Sequence, residues 1–280
     1  MDFVAIRARV ERSFAGKIID ELVRIEVIDR ALALASKLFV AVIPLSIILK
    51  AIAPGSGNFG EDLVERFGLS GAGARATRTL FATSGEVRGA VSVIGIVIVL
   101  YSVLSFTRAL QRVYLRIWRL QPQLPDALIR QLTWIVGFCA YTLVLSPLRD
   151  FEHSNDIASL YGPSAITLGA LFWLWTPHVL LGKRVPLRQL LPSSLMTTAG
   201  VTLFSVGTAI FLPGIMSNNA QRYGLIGVAF GLVSWLFAYS AVVVVSAVVG
   251  GVWGRDRMRS GGAREELPGG AAQQQPGGAG

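Results

Sequence analysis

The chain has 280 residues, 52% of them hydrophobic and only 15% charged, with a formal net charge of +9. A soluble globular domain carries about a quarter charged residues, so this balance argues against an ordinary soluble enzyme and for long apolar blocks in a bilayer. A lone cysteine, Cys139, and two histidines, His153 and His178, leave no intrachain disulfide and no thiolate metal site to build.

Residues 1–30 are charged but patterned. Ile6, Val10, Phe14, Ile18 and Leu22 recur every fourth residue and predict one apolar stripe on a helix, with arginines and acids around it. Such a helix lies on the membrane surface or packs under the bundle. Both signs of charge are dense here and the first apolar run begins only near Ala31, so no cleavable signal peptide is expected.

Six apolar runs follow, at 31–53, 89–107, 131–148, 163–181, 190–212 and 225–250. Each is near the roughly 20 residues that a helix needs to cross the hydrocarbon layer. The expected fold is therefore an all-α transmembrane bundle of six spans over 31–253, behind an amphipathic helix at 1–30. The Gly-, Pro- and Gln-rich stretch 254–280 has almost no large apolar side chains and is expected to be a disordered tail.

In the first span, Lys37 and Lys50 stand near opposite ends, where both can snorkel to the surfaces. For Lys37 a second reading stays open, contact with an anion or lipid phosphate inside the bundle. Pro44 deprives the Val40 carbonyl of its helical partner. The loop 54–88 is too long for a plain connector. Asn58 and Glu61 resemble a capping pair, and interfacial helices are expected there.

The second span runs on into Arg108, Arg112, Arg116 and Arg119, spaced to line one helical face, with Tyr114 and Trp118 beside them. That stripe suits nonspecific phosphate binding, but as a collar on anionic lipid head groups it needs no further assumption. The fourth span contains Pro177 followed by His178. A proline kink beside a histidine makes a polar pocket or a proton-sensitive gate, or the histidine simply bonds a carbonyl or lipid near the membrane surface. The fifth span is rich in small hydroxyls, Thr198 among them, which suit close helix contact or a polar path.

Lys and Arg outside the spans fall eighteen on the side of the termini and six on the other, with Lys37 and Lys50 completing the 26. The positive-inside rule then puts both termini in the cytoplasm, and an even number of spans agrees. The partners expected are membrane lipids, with anionic head groups on the cytoplasmic side. No nucleic acid, cofactor or metal is expected, and a homo-oligomer stays open.

Three stretches carry a family resemblance. Ala31–Ile52 reads ALALASKLFVAVIPLSIILKAI, Arg184–Pro192 reads RVPLRQLLP, and the last span opens with YGLIGVAFGLVSW from Tyr223 to Trp235. In this order and spacing they resemble the YihY/BrkB family of bacterial inner-membrane proteins, formerly labelled ribonuclease BN. The resemblance implies a multi-pass plasma-membrane protein linked to envelope integrity or lipid export. One departure stands out: the family's last helix often has Gly-Ala-Glu near its end, whereas this chain has Ser246-Ala247-Val248.

Two functions follow as expectations: a carrier or flippase for a lipid or amphiphilic anion, or a non-transporting organiser of the envelope. A ribonuclease is disfavoured. Nuclease chemistry needs clustered carboxylates or histidines, and the connecting loops on the basic side offer only Asp126.

Overall fold

The computed structural model describes residues 14–52, 61, 64, 70–80, 93–123, 126–154 and 158–265. All secondary structure among them is helical: α1 (Phe14–Arg24), α2 (Val27–Ile52), α3 (Gly71–Leu80), α4 (Val93–Ile117), α5 (Ala127–Ser154), α6 (Ala158–Leu180) and α7 (Leu187–Glu265). Residues 1–13, with the first half of the expected N-terminal stripe, lie outside the described residues.

Three stretches are long and apolar enough to cross a membrane: Ala127–Leu145, Leu187–Gly224 and Ile226–Asp256. The other expected runs fall on α2, α4 and α6, which do not reach that measure among the described residues. With no water in the hydrocarbon layer every backbone N–H and C=O must be satisfied internally, which long helices achieve.

The last two runs form one hairpin. α7 is interrupted only at Gly224, whose φ of 58° and ψ of −137° leave the helical region, a conformation that glycine adopts without a side-chain clash. The two arms then run antiparallel: Ser193 donates to the Ala247 carbonyl at 3.1 Å, and Trp235 Nε1 donates to Thr208 Oγ1 at 3.0 Å. The segment 213–224, expected as a loop, is helical. Pro213 sits inside the first arm, as prolines do in membrane helices where neighbouring groups satisfy the freed carbonyl. At the far end α7 continues to Glu265, so the residues from 254 to 265, expected as the start of a disordered tail, are helical; 266–280 lie outside the described residues.

α2 and α6 pack against this hairpin, α4 joins α2, and α5 lies beside α6. The larger core gathers at one end, where Leu110, Tyr114, Ile117, Leu180, Leu190 and Val244 are buried together. A second cluster, with Ala74 of α3 against Leu212, Met216 and Leu232, closes the hairpin's turn. Basic side chains collect at the larger-core end, called basal here. Arg108, Arg112, Arg116, Arg119, Arg130, Arg184 and Arg255 lie there, with Lys17, Arg24 and Arg30 of the N-terminal segment. Arg75, Arg78 and Arg222 lie at the other.

The hairpin seam depends on a glycine. A Cβ on Gly250 would drive into the backbone of Pro192 and Ser193, which cannot yield without separating the arms, whereas one on Gly207 would meet nothing within 4 Å. Gly250→Val is therefore expected to destabilise the purified protein by about 1–3 kcal/mol through overpacking, seen as a lower melting temperature in detergent. Gly207→Ala is expected to leave it unchanged or raise it.

Candidate functional site

The basal end is organised around a buried acid. Glu21 lies on the same face of α1 as Ile18 and Ile25 and is only 5% exposed. Its carboxylate accepts hydrogen bonds from Arg24 Nε at 2.9 Å and Nη2 at 2.6 Å, from Arg119 Nη2 at 3.1 Å and from Arg255 Nη2 at 2.8 Å. Two of these guanidiniums also cap α4: Arg24 donates to the Arg116 carbonyl at 3.1 Å, and Arg255 donates to the Ile117 carbonyl. Lys17 pairs with Asp256 at 2.7 Å. One carboxylate thus ties α1, the end of α4 and the second arm of α7 together, with three guanidiniums around it.

Burial pushes the Glu21 carboxyl up, but the Arg24 hydrogen bond, the Arg255 charge and the Arg119 hydrogen bond outweigh burial and hold it at about 2 instead of 4.5. The same contact raises the Arg24 guanidinium.

Chain reversal at this end uses left-handed residues. Arg119 has φ of 53° and Leu120 N–H returns to the Leu115 carbonyl at 2.9 Å; Gly182 and Lys183 have φ of 66° and 60°, and Lys183 N–H returns to the His178 carbonyl at 2.9 Å. Both are six-to-one helix closures. Arg119 is therefore turned off the helical face on which its spacing placed it, and it reaches Glu21. Arg108, Arg112 and Arg116 remain exposed along α4. Tyr114 and Trp118, which the spacing set beside the stripe, are buried in the core instead.

Above this layer runs a chain of amides. Arg108 Nε donates to Gln131 Oε1 at 3.1 Å, Gln131 Nε2 to Gln111 Oε1 at 2.8 Å, and Gln111 Nε2 to the Leu180 carbonyl at 2.9 Å. Both glutamines are buried, and the chain joins α4, α5 and α6 while satisfying one of the last carbonyls of α6.

The remaining sequence-selected residues are dispersed. Lys37 is half-buried on α2 and donates to Ser105 of α4 at 3.2 Å. Pro44 lies in the helical backbone of α2, and its side chain is outside the described ones. Pro177 is buried, and its carbonyl accepts from Leu181 N–H at 2.9 Å. His178 is half-buried, with an Nδ1 that has no partner among the described residues. It borders an open groove of about 540 Å³ between α5 and α6, with Tyr141, Leu171 and Trp175. Thr198 is buried and donates to the Ser194 carbonyl at 2.9 Å, while Ser194 reaches the Ala170 carbonyl of α6 at 3.0 Å.

A family model described as virulence factor BrkB matches residues 18–266. The chain belongs to the BrkB family. The match begins within α1 and ends just past α7, so the basal cluster and every bundle helix fall inside it. No curated protein and no solved structure matches the chain. Family and apolar helices together make this BrkB chain an integral membrane protein.

Glu21, Gln111, Gln131 and Ser105 did not emerge from the sequence. A signal existed for Glu21: an acid three residues after Ile18 and four before Ile25, on a face that is otherwise apolar, needs partners. Nothing comparable marked Gln131. Glu21 is a carboxylate lowered on folding, so the stability it contributes is present in full above about pH 4.5 and is lost as pH falls toward 2. That shift corresponds to about 3 kcal/mol. The melting temperature of the wild-type protein is expected to fall across this window, while Glu21→Gln is less stable at neutral pH and loses less on acidification.

Proposed function

We propose that this BrkB-family protein is a six-span plasma-membrane carrier of a lipid or other amphiphilic anion, with both termini in the cytoplasm. The observation that carries the reading is the surplus of positive charge at the basal end beside apolar grooves. Glu21 is already engaged by three guanidiniums, so Arg108 and Arg112 on the open face of α4 have no carboxylate among the described contacts. An anionic head group is attracted there, while the α5/α6 groove, with His178 at its basal end, offers apolar surface of acyl-chain size. The reading assigns the head group to that charge and the tail to apolar surface of the bundle. The reading assigns no bond-making chemistry to the chain, and a ribonuclease has no support in it.

A second reading, a non-transporting organiser of the envelope, is favoured by one feature. Where the family resemblance leads one to expect an acid, this chain has Val248, 0% exposed and packed with Ala247 in the apolar core. No titratable group there can couple a substrate to protons.

Reconstitution separates the two. In proteoliposomes of mixed zwitterionic and anionic lipid, the carrier reading expects protein-dependent movement of a fluorescent anionic phospholipid between leaflets. Arg112→Ala is expected to slow that movement several-fold without changing the melting temperature, whereas Arg108→Ala also removes the partner of buried Gln131 and is expected to lower it; Lys37→Ala is expected to slow movement less. Movement equal to that in empty liposomes would favour the organiser. Reporter fusions at the two ends are expected to report the same compartment, the cytoplasm.

A further inference from the structure

At the centre of the bundle, where α2, α4, α5, α6 and the second arm of α7 converge, lies a cavity of about 130 Å³. Its walls are aliphatic and aromatic, with Phe106, Trp134, Phe138, Phe172, Trp173 and Tyr239 contributing rings. Among the described residues no charged side chain lines it. An ion entering such a space would lose its hydration without a partner, so whatever occupies it is neutral.

Among the polar groups of the lining residues, one stands out. Ser240 lines it, is 0% exposed, and its Oγ has no hydrogen-bond partner among the described residues. Helical hydroxyls at similar depth behave differently: Thr107, Thr176, Thr197 and Thr198 each donate to the carbonyl four residues back, at 2.8–2.9 Å. That back-bond is the default for Ser and Thr in helices. Ser240 forgoes it and presents its hydroxyl to the cavity. The neighbouring indole of Trp134 is already committed, donating Nε1–H to Thr176 Oγ1 at 3.1 Å. A trapped water needs two to four polar partners, and these walls are nearly all apolar.

Size narrows the class further. A dry cavity of about 150 Å³ lined by Leu, Ile and Phe accommodates benzene. This one is slightly smaller and lined by rings that favour offset or edge-on contact with another ring.

We infer that this cavity is a binding site for a neutral one-ring molecule carrying a single hydrogen-bonding group, of which phenol is the simplest, with the ring held among Phe138, Phe172 and Trp173 and the polar group on Ser240. The site is independent of the carrier reading, since lipid movement can fail while this binding persists, and the reverse. A ligand there touches five helices at once and stabilises the folded bundle by mass action.

The test uses the full chain in lipid nanodiscs with 4-fluorophenol and fluorobenzene as probes, read by fluorine NMR and by melting temperature. Saturable binding of 4-fluorophenol above the partitioning into empty nanodiscs is expected, together with a raised melting temperature. Ser240→Ala, a small change inside a helix, is expected to weaken 4-fluorophenol about three- to tenfold, the worth of one neutral hydrogen bond, and to leave fluorobenzene within twofold. Ala41→Leu, which fills the cavity from α2, is expected to abolish both. Non-saturating uptake equal to that of empty nanodiscs overturns the site. So does unchanged binding in an Ala41→Leu protein that melts like the wild type. Equal losses of both probes in Ser240→Ala overturn the role of the hydroxyl, and if Ala41→Leu does not fold, the Ser240→Ala comparison decides alone.

Discussion

A carboxylate taken out of water loses hydration worth several kcal/mol, and it stays charged only where cations replace that hydration at close range. Glu21 is such a group. Its two oxygens receive four hydrogen bonds from three guanidiniums that come from three separate parts of the chain, namely its own helix, the turn after α4 and the last turns of the hairpin. The geometry therefore works as a register. α1 can dock in one position, α4 must stop where Arg119 turns back, and the hairpin must be long enough to bring Arg255 beneath Ile117. Hydrophobic contact alone, which is non-directional, would not select one docking among several for a short amphipathic helix.

The three cations have a second consequence. One negative charge among three positive ones leaves the cluster net positive, and the exposed arginines of α4 extend that charge across the basal surface. Structural and surface roles thus divide among arginines that look alike in the sequence. Arg24, Arg119 and Arg255 hold the fold and cannot be spared for a ligand. Arg108 and Arg112 bond only an amide and a backbone carbonyl among the described contacts, so their charge is not neutralised by the protein.

Much of the architecture was legible from periodicity. Long apolar runs specify helices in lipid because nothing else satisfies the backbone there, and the alternation of basic and neutral connectors matches the way basic residues gather at one end of the described structure. The ends of elements were less legible. The fifth apolar run is bounded at 212, yet α7 continues through Pro213, because prolines are tolerated in membrane helices where neighbouring groups satisfy the freed carbonyl. The stripe from Arg108 to Arg119 was legible through Arg116 only. The left-handed turn at Arg119 closes α4 locally and brings its side chain to Glu21, a partner that no local propensity encodes. Partnerships between distant residues, such as Glu21 with Arg255 or Gln111 with Gln131, require knowing which helices are neighbours. Single-sequence reading does not supply that.

The polar and apolar parts of the bundle follow a gradient that bears on how the molecule can move. Toward the basal end helices are joined by directional bonds, from the Glu21 cluster through the Gln111–Gln131 chain to the Trp134–Thr176 bond. Beyond that level the described contacts are mainly between rings and branched aliphatics, with the Trp235–Thr208 bond between the hairpin arms as an exception, and the central cavity borders the Trp134–Thr176 bond. Hydrogen-bonded layers resist shear because each bond has one acceptable geometry, whereas apolar surfaces slide with little loss so long as they stay covered. Sliding of α5 and α6 against the hairpin is therefore opposed most at the basal layer. The free volume of the bundle thus lies next to its most directionally bonded layer. This arrangement suits recognition at a fixed electrostatic surface coupled to adjustment in the apolar interior.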